Sequence, residues 1–247
     1  MFTSAARVTP ALCKVIICVA ILLSSMSSSP AMSPSPAMSP SPAISSSPAK
    51  VEYDTLSLLL TLDVKPEKSE GYMRSMFKHW SDLDRDGCTT RESVLRRDAT
   101  SKFAPIKPKS SCKVTNGVWF SVYDGVYEYS SSSIDIDHVV SLSEAYRSGA
   151  YKWSTVMKQK FANDESDARS LRAVSKSSNR SKSDKDPALW LPSRAAYTCT
   201  YISDWVAIKA RWSLSVDAKE YAKLRAMLTS TCQGLKTKGW ITVKGVS

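Results

Sequence analysis

The spacing of apolar positions changes period several times along the chain, and each change predicts an element. Asp54–Leu62 and Glu70–Trp80 carry apolar side chains at helical spacing, and Thr90–Asp98 reads as a short helix rich in arginine. Val118–Tyr123 and Val126–Tyr129 are β-branched and aromatic runs on either side of Asp124-Gly125, which predicts a hairpin closed by a two-residue turn. Ile134–Val140 and Leu171–Ser175 form a second hairpin-like pair, separated by a helical insertion over Leu142–Gln159. Thr198–Trp212 and Asp217–Leu228 have the pattern of amphipathic helices that place Trp205 and Trp212 on or beside a buried face. Together these elements predict an α+β fold. Trp119, Trp153 and Trp190 are read, like Trp205 and Trp212, as core side chains rather than platforms for stacked bases.

Upstream of these elements the pattern is not that of a folded domain. Residues 1–29 hold Arg7 and Lys14, no acidic residue, an apolar run from Val15 to Leu23 and small residues from Ser24 onward, the layout of a secretory signal peptide. The run is nine residues long, whereas a span of the bilayer takes about 20. Residues 30–50 repeat a Pro-Ala-Met-Ser-Pro-Ser hexad with too little apolar surface for a core, and read as an extended linker. The folded domain is therefore expected over 51–247, secreted and free of the membrane once the signal is removed.

Composition sharpens that setting. Residues 51–247 carry 31 Lys and Arg against 23 Asp and Glu, a surplus of 8 that favours a polyanionic partner or simple solubility. Cys88, Cys112, Cys199 and Cys232 lie outside the signal, and four cysteines in an oxidising compartment suggest two disulfides. Cys88 with Cys112 and Cys199 with Cys232 is the favoured pairing, because each closes a local loop. A zinc site would call for a Cys-x-x-Cys spacing, and none is present.

Two segments carry the chemistry. His138 ends the strand Ile134–Val140, and Asn179 follows the strand Leu171–Ser175, where a helix could start. Strand, strand and helix in that order form a ββα unit that can bring Asp137, His138 and Asn179 to one site. A histidine with an ordinary pKa of about 6.5 can take a proton from water near neutral pH. The Asp137 carboxylate and Asn179 carboxamide are hard oxygen donors suited to one divalent cation, Mg²⁺ or Mn²⁺. Arg180, Lys182 and Lys185 would hold flanking phosphates without reading sequence. Asp82-Leu83-Asp84-Arg85-Asp86-Gly87 imitates the start of an EF-hand, but the twelfth position is Ser93 rather than Glu, so a turn or substrate-side loop held by Cys88 is expected.

Asp137-His138-Val139-Val140 with Asn179-Arg180-Ser181-Lys182 resembles the HNH, or His-Me finger, endonucleases, most nearly secreted proteins related to the C-terminal module of GmrSD-type restriction enzymes. The likeness runs through Trp80–Arg91, Ser141–Ala150, Phe161–Asp164, Pro187–Pro192 and the Trp205–Cys232 tail, most of residues 56–232. It implies a ββα-metal core with additional helices and a β-hairpin. It also implies a phosphodiester hydrolase acting on DNA, with RNA as a second substrate, in which His138 is general base and Asp137 and Asn179 hold the metal. Three positions depart from the family's usual residues: Ser170 stands for an Asn that braces the histidine loop, Ser183 for a Gly and Ser141 for a Pro. The alternative is a catalytically inactive secreted effector or nucleic-acid-binding protein on the same scaffold. The sequence leaves any protein partner open.

Overall fold

The computed structural model describes residues 51–100 and 112–239. The signal and linker expected over 1–29 and 30–50 lie outside the described residues. These residues belong to one compact unit of mixed α and β structure.

Strand β1 (Val51–Asp54) leads into helix α1 (Thr55–Leu59), whose N-cap Asp54 accepts a hydrogen bond from the Ser57 amide at 2.8 Å. Helix α2 (Thr90–Asp98) opens on a capping box between Thr89 and Glu92, which satisfies two amides that the first turn leaves free. Strands β2 (Asn116–Phe120) and β3 (Tyr127–Ser130) pair antiparallel, as do β4 (Ile134–His138) and β5 (Leu171–Ser175). Between β4 and β5 stand α3 (Leu142–Arg147) and α4 (Thr155–Ala162). Helix α5 (Lys176–Lys182) follows β5 without a loop, and α6 (Ala195–Arg211) and α7 (Ala218–Leu228) complete the core. Strand β6 (Lys236–Gly239) returns to pair antiparallel with β1.

Three expectations need correction. Glu70–Trp80 is not a helix: only a 3-10 turn at Arg74–Met76 forms, because the backbone leaves helical geometry on either side of it, at Met73 (φ −133°, ψ 128°) and Phe77 (φ −104°, ψ 89°). The Asp124-Gly125 hairpin is wider than a two-residue turn. Its strands close at Phe120 and Tyr127, and Asp124 is drawn away to accept from the Ser175 and Ser178 hydroxyls at 2.5 and 2.7 Å. The long helix begins at Ala195, three residues before the periodicity suggested, and its start carries no apolar stripe to mark it.

The β4–β5 ribbon has two different faces. Ile134, Ile136, Leu171 and Ala173 point into a core with Val94 and Leu95 of α2 and the fully buried Trp119. Period-two alternation sends Asp135 and Asp137 the other way, where α5 lies against both strands. The larger core gathers Leu58 and Leu59 of α1, Leu142 and Ala145 of α3, Tyr201, Trp205 and Ile208 of α6, and Leu224 and Leu228 of α7. Burying each large side chain is worth roughly 1.5–3 kcal/mol. Trp119 and Trp205 are wholly buried, and Trp153, Trp190 and Trp212 pack half-buried against the larger core.

Disulfides join Cys88 to Cys112 and Cys199 to Cys232, as the local-loop argument favoured. Among the described residues no helix is long and apolar enough to cross a membrane.

Candidate active site at the end of the fourth strand

A cavity of about 610 Å³ opens where β4 ends and α5 begins, and Asp137, His138 and Asn179 all line it. Arg180, Ser183 and Asp184 from the α5 end, Ser141 and Ser143 from the α3 start, and Tyr72 and Arg74 from the upstream segment complete much of its wall.

His138 is held on two sides. Its Nε2 lies 2.9 Å from the Ala162 carbonyl oxygen, and its ring stacks on Trp80 at 5.5 Å between centroids. A carbonyl only accepts, so Nε2 carries the proton and Nδ1 is left as the basic nitrogen. Burial, with the Arg74 cation adding to it and the Ala162 bond opposing, pushes the His138 pKa down to about 3. The imidazole is therefore neutral at physiological pH.

Both supports of the ring depend on Asn163. Its Oδ1 accepts from the Ser81 amide at 2.8 Å, and its Nδ2 donates to the carbonyls of Lys78 and Gln159 at 2.7 and 2.8 Å. These bonds grip both sides of Trp80, whose left-handed backbone costs about 1–2 kcal/mol for a residue with a Cβ. The next residue, Asp164, accepts from the Ser170 hydroxyl at 2.8 Å, while the Ser170 carbonyl accepts from the amide of Val139 at 3.1 Å. Serine at 170 thus still braces the chain beside His138, through a shorter side chain and a carboxylate partner.

Asp137 is buried and fully engaged. Its Oδ2 accepts from the Tyr123 hydroxyl at 2.6 Å and its Oδ1 from the Lys182 ammonium at 2.9 Å. Burial lifts the Asp137 carboxyl above its usual range, against the pull of Lys182 and Tyr123, and burial beside Asp137 raises the Tyr123 phenol far above its own. Lys182, read from sequence as a phosphate contact, is instead wholly buried, and donates also to the His138 carbonyl at 3.0 Å. The reason is helical phase: Asn179 and Lys182 are three residues apart and share the face of α5 turned to β4. Arg180 and Lys185 are exposed, with Lys185 donating to the Ser181 carbonyl at 2.8 Å. Asn179 donates through Nδ2 to the Asp135 carboxylate at 3.2 Å.

The departures at Ser141 and Ser183 acquire physical content. Ser141 caps α3, accepting from the Glu144 amide at 3.0 Å, with a φ of −61° that a proline would also adopt. Ser183 ends α5 at a φ of 54° and ψ of −125°, a conformation suited to glycine.

The sequence profile described as GmrSD restriction endonucleases, C-terminal domain, matches residues 89–227. The chain belongs to this family. A protein of Arthroderma benhamiae described as an uncharacterized secreted protein is 44% identical over 177 residues, which is 71% of this chain and 83% of that protein. No solved structure matches. A secreted relative and two disulfides agree that this member of the GmrSD C-terminal family is an extracellular protein.

The family match contains the β4–β5–α5 unit and its helical insertion, whereas Tyr72, Arg74 and Trp80 lie upstream of it. Sequence reasoning gave no role to Tyr123, Asn163, Asp135 or Arg74. Asp135 had a signal, since it alternates with Asp137 on one strand face. Asn163 lay inside the Phe161–Asp164 likeness without a role of its own, and Tyr123 had no signal, because each meets its partners only after distant segments fold together.

Proposed function

We propose that the chain is a secreted, metal-dependent HNH endonuclease on a ββα-metal core, hydrolysing phosphodiester bonds of DNA, and of RNA as a second substrate, with little sequence preference. The observation that carries the reading is that Asp137, His138 and Asn179 line one cavity at the β4–α5 junction of a chain belonging to the GmrSD C-terminal family.

The donors fit one Mg²⁺ or Mn²⁺. A carboxylate offers about four lone-pair sites, of which Tyr123 and Lys182 occupy two. Mg²⁺ usually keeps several waters and takes one or two protein oxygens plus phosphate, so Asp137 and Asn179 suffice in a polar cavity of this size. Such a cation would neutralise negative charge that develops on the phosphate as the bond is cut.

The chain's own groups do the rest. Nδ1 of His138, neutral and fixed by Ala162 and Trp80, takes the proton of the attacking water. The Ala162 carbonyl stabilises the imidazolium that results, and Lys182 and Tyr123 keep the Asp137 carboxylate ionised and aimed. Arg180 and Arg74 supply positive charge in the cavity wall for the substrate backbone, with Lys185 on the outer face of the same basic run.

A second reading, a nucleic-acid-binding secreted effector without turnover, is favoured by the prior engagement of both Asp137 oxygens. Incubating recombinant 51–247 with supercoiled plasmid across Mg²⁺, Mn²⁺, Ca²⁺ and EDTA separates the two. Nicking that requires Mg²⁺ or Mn²⁺ supports the nuclease. Salt-sensitive plasmid binding with no nicking in any cation supports the effector.

A further inference from the structure

Two side chains of α5 meet two side chains of β4 as successive rungs. Asn179 meets Asp135 at 3.2 Å, and Lys182 meets Asp137 at 2.9 Å. Strand residues two apart and helix residues three apart each share a face, so one register produces both contacts. The Lys182 rung is an ion pair. The Asn179 rung does something different.

A carboxamide presents an oxygen at one end and an NH₂ at the other, and rotation by half a turn exchanges them. Asp135 is half-buried, its Oδ2 lies 3.2 Å from the Asn179 side chain, and a carboxylate oxygen there accepts. The end of Asn179 that faces Asp135 must therefore be Nδ2, which leaves Oδ1 directed away from the strand. Asn179 also lines the cavity that holds Asp137 and His138. Without an acceptor at 135, the amide could turn its NH₂ toward the cavity, and an NH₂ is a donor that repels a cation.

We propose that Asp135 is a positioning residue that fixes the Asn179 carboxamide with its oxygen toward the cavity, and so makes Asn179 a cation ligand. The role rests on the metal-dependent reading above. It assigns to Asp135 a function that its place two residues before Asp137 does not by itself imply, since Asp135 need not touch the cation or the substrate.

The test is calorimetric titration of Mn²⁺ into metal-free 51–247, comparing wild type with Asp135→Leu, Asp135→Asn, Asn179→Ala and the Asp135→Leu/Asn179→Ala double variant. Partners that orient a metal ligand are typically worth 10–100-fold in affinity. Asp135→Leu should weaken Mn²⁺ binding by about that factor. Asp135→Asn, whose own amide oxygen can still accept from Nδ2, should recover most of the loss. In the Asn179→Ala background Asp135→Leu should change affinity by less than about twofold, because the amide it orients is gone. Near-ultraviolet circular dichroism and the thermal midpoint check that each variant is folded. An Asp135→Leu loss that persists undiminished when Asn179 is already alanine overturns the proposal, because Asp135 would then act by charge or by structure. Unchanged affinity in a folded Asp135→Leu overturns it as well, while leaving the nuclease reading intact. A wild-type protein that binds no Mn²⁺ removes the metal-dependent reading and this role together.

Discussion

Asn163 offers the sharpest test of how the site is held. Replacing it by alanine removes three hydrogen bonds at 2.7–2.8 Å from a buried side chain, two of them to a segment more than 80 residues away. At about 1 kcal/mol net for each of the two bonds that Nδ2 donates, and about 1–3 kcal/mol for the Ser81 amide left without its acceptor, the loss should be about 3–5 kcal/mol. That is a large share of the roughly 5–15 kcal/mol that holds a domain of this size together. Urea denaturation followed by tryptophan fluorescence measures it. Asn163→Asp should do no better, because it keeps the acceptor for Ser81 but turns a carboxylate toward two carbonyl oxygens. Hydrogen exchange supplies the local readout: the Ser81 amide, protected in the native protein, should exchange at least tenfold faster in a folded Asn163→Ala protein. A destabilisation under 1 kcal/mol with Ser81 still protected would refute the claim that Asn163 clamps the Trp80 segment over His138.

Three further outcomes are expected. Lys182→Met should cost about 3–5 kcal/mol in urea denaturation by leaving Asp137 as a buried, uncompensated charge, and adding Asp137→Asn should restore much of that loss; no recovery would contradict the ion pair. Ser183→Gly should stabilise by about 1 kcal/mol, because φ is 54° there, and a lower thermal midpoint would contradict a strained serine. Burial and the neighbouring Glu144 raise Glu67 from 4.5 to about 7, so the folded state binds its proton more tightly than the unfolded chain. That contribution is fully present below about pH 4.5 and is lost as pH rises through 7. The thermal midpoint should accordingly fall between pH 5 and 8, and fall less in Glu67→Gln, which does not titrate; an identical fall would contradict a raised Glu67 carboxyl.

Much of this architecture could be read from local pattern, and the reasons for the misses are equally local. Ile134–His138 and Leu171–Ser175 stand out because a β-branched run announces a strand on either face. Thr90–Asp98 carries its own capping box, and the α7 start carries another at Asp217 and Glu220. Glu70–Trp80 has helical spacing without helical backbone. Its apolar side chains, Phe77 above all, are placed by the core they enter rather than by a repeat of their own. Strand β6 was invisible because Lys236–Gly239 is polar and becomes a strand only by pairing with β1.

At the site, residue type was legible and direction was not. Asp, His and Asn at their observed positions sufficed to expect one cavity, which the structure forms. Lys182 and Lys185 look alike in the sequence, yet the helical phase of α5 buries the first against Asp137, and the helix ends at Ser183 before it reaches the second, which stays in solvent. The same phase carries Asn179 to Asp135. Burial of His138 between Trp80 and Ala162 depends on contacts across 58 and 24 residues, which no short motif encodes.

The central claim is that His138 acts as a base on water at a cation site in this cavity. The measurement that tests it most directly is the initial rate of plasmid nicking in saturating Mn²⁺, wild type against a folded His138→Ala protein, with the ends of the cut strands identified. The account predicts a loss of about 10²–10⁴-fold on removing the imidazole, 3′-hydroxyl and 5′-phosphate ends, and no nicking by wild type in EDTA. Cutting by His138→Ala within a few-fold of wild type, or cutting that survives EDTA, would contradict it.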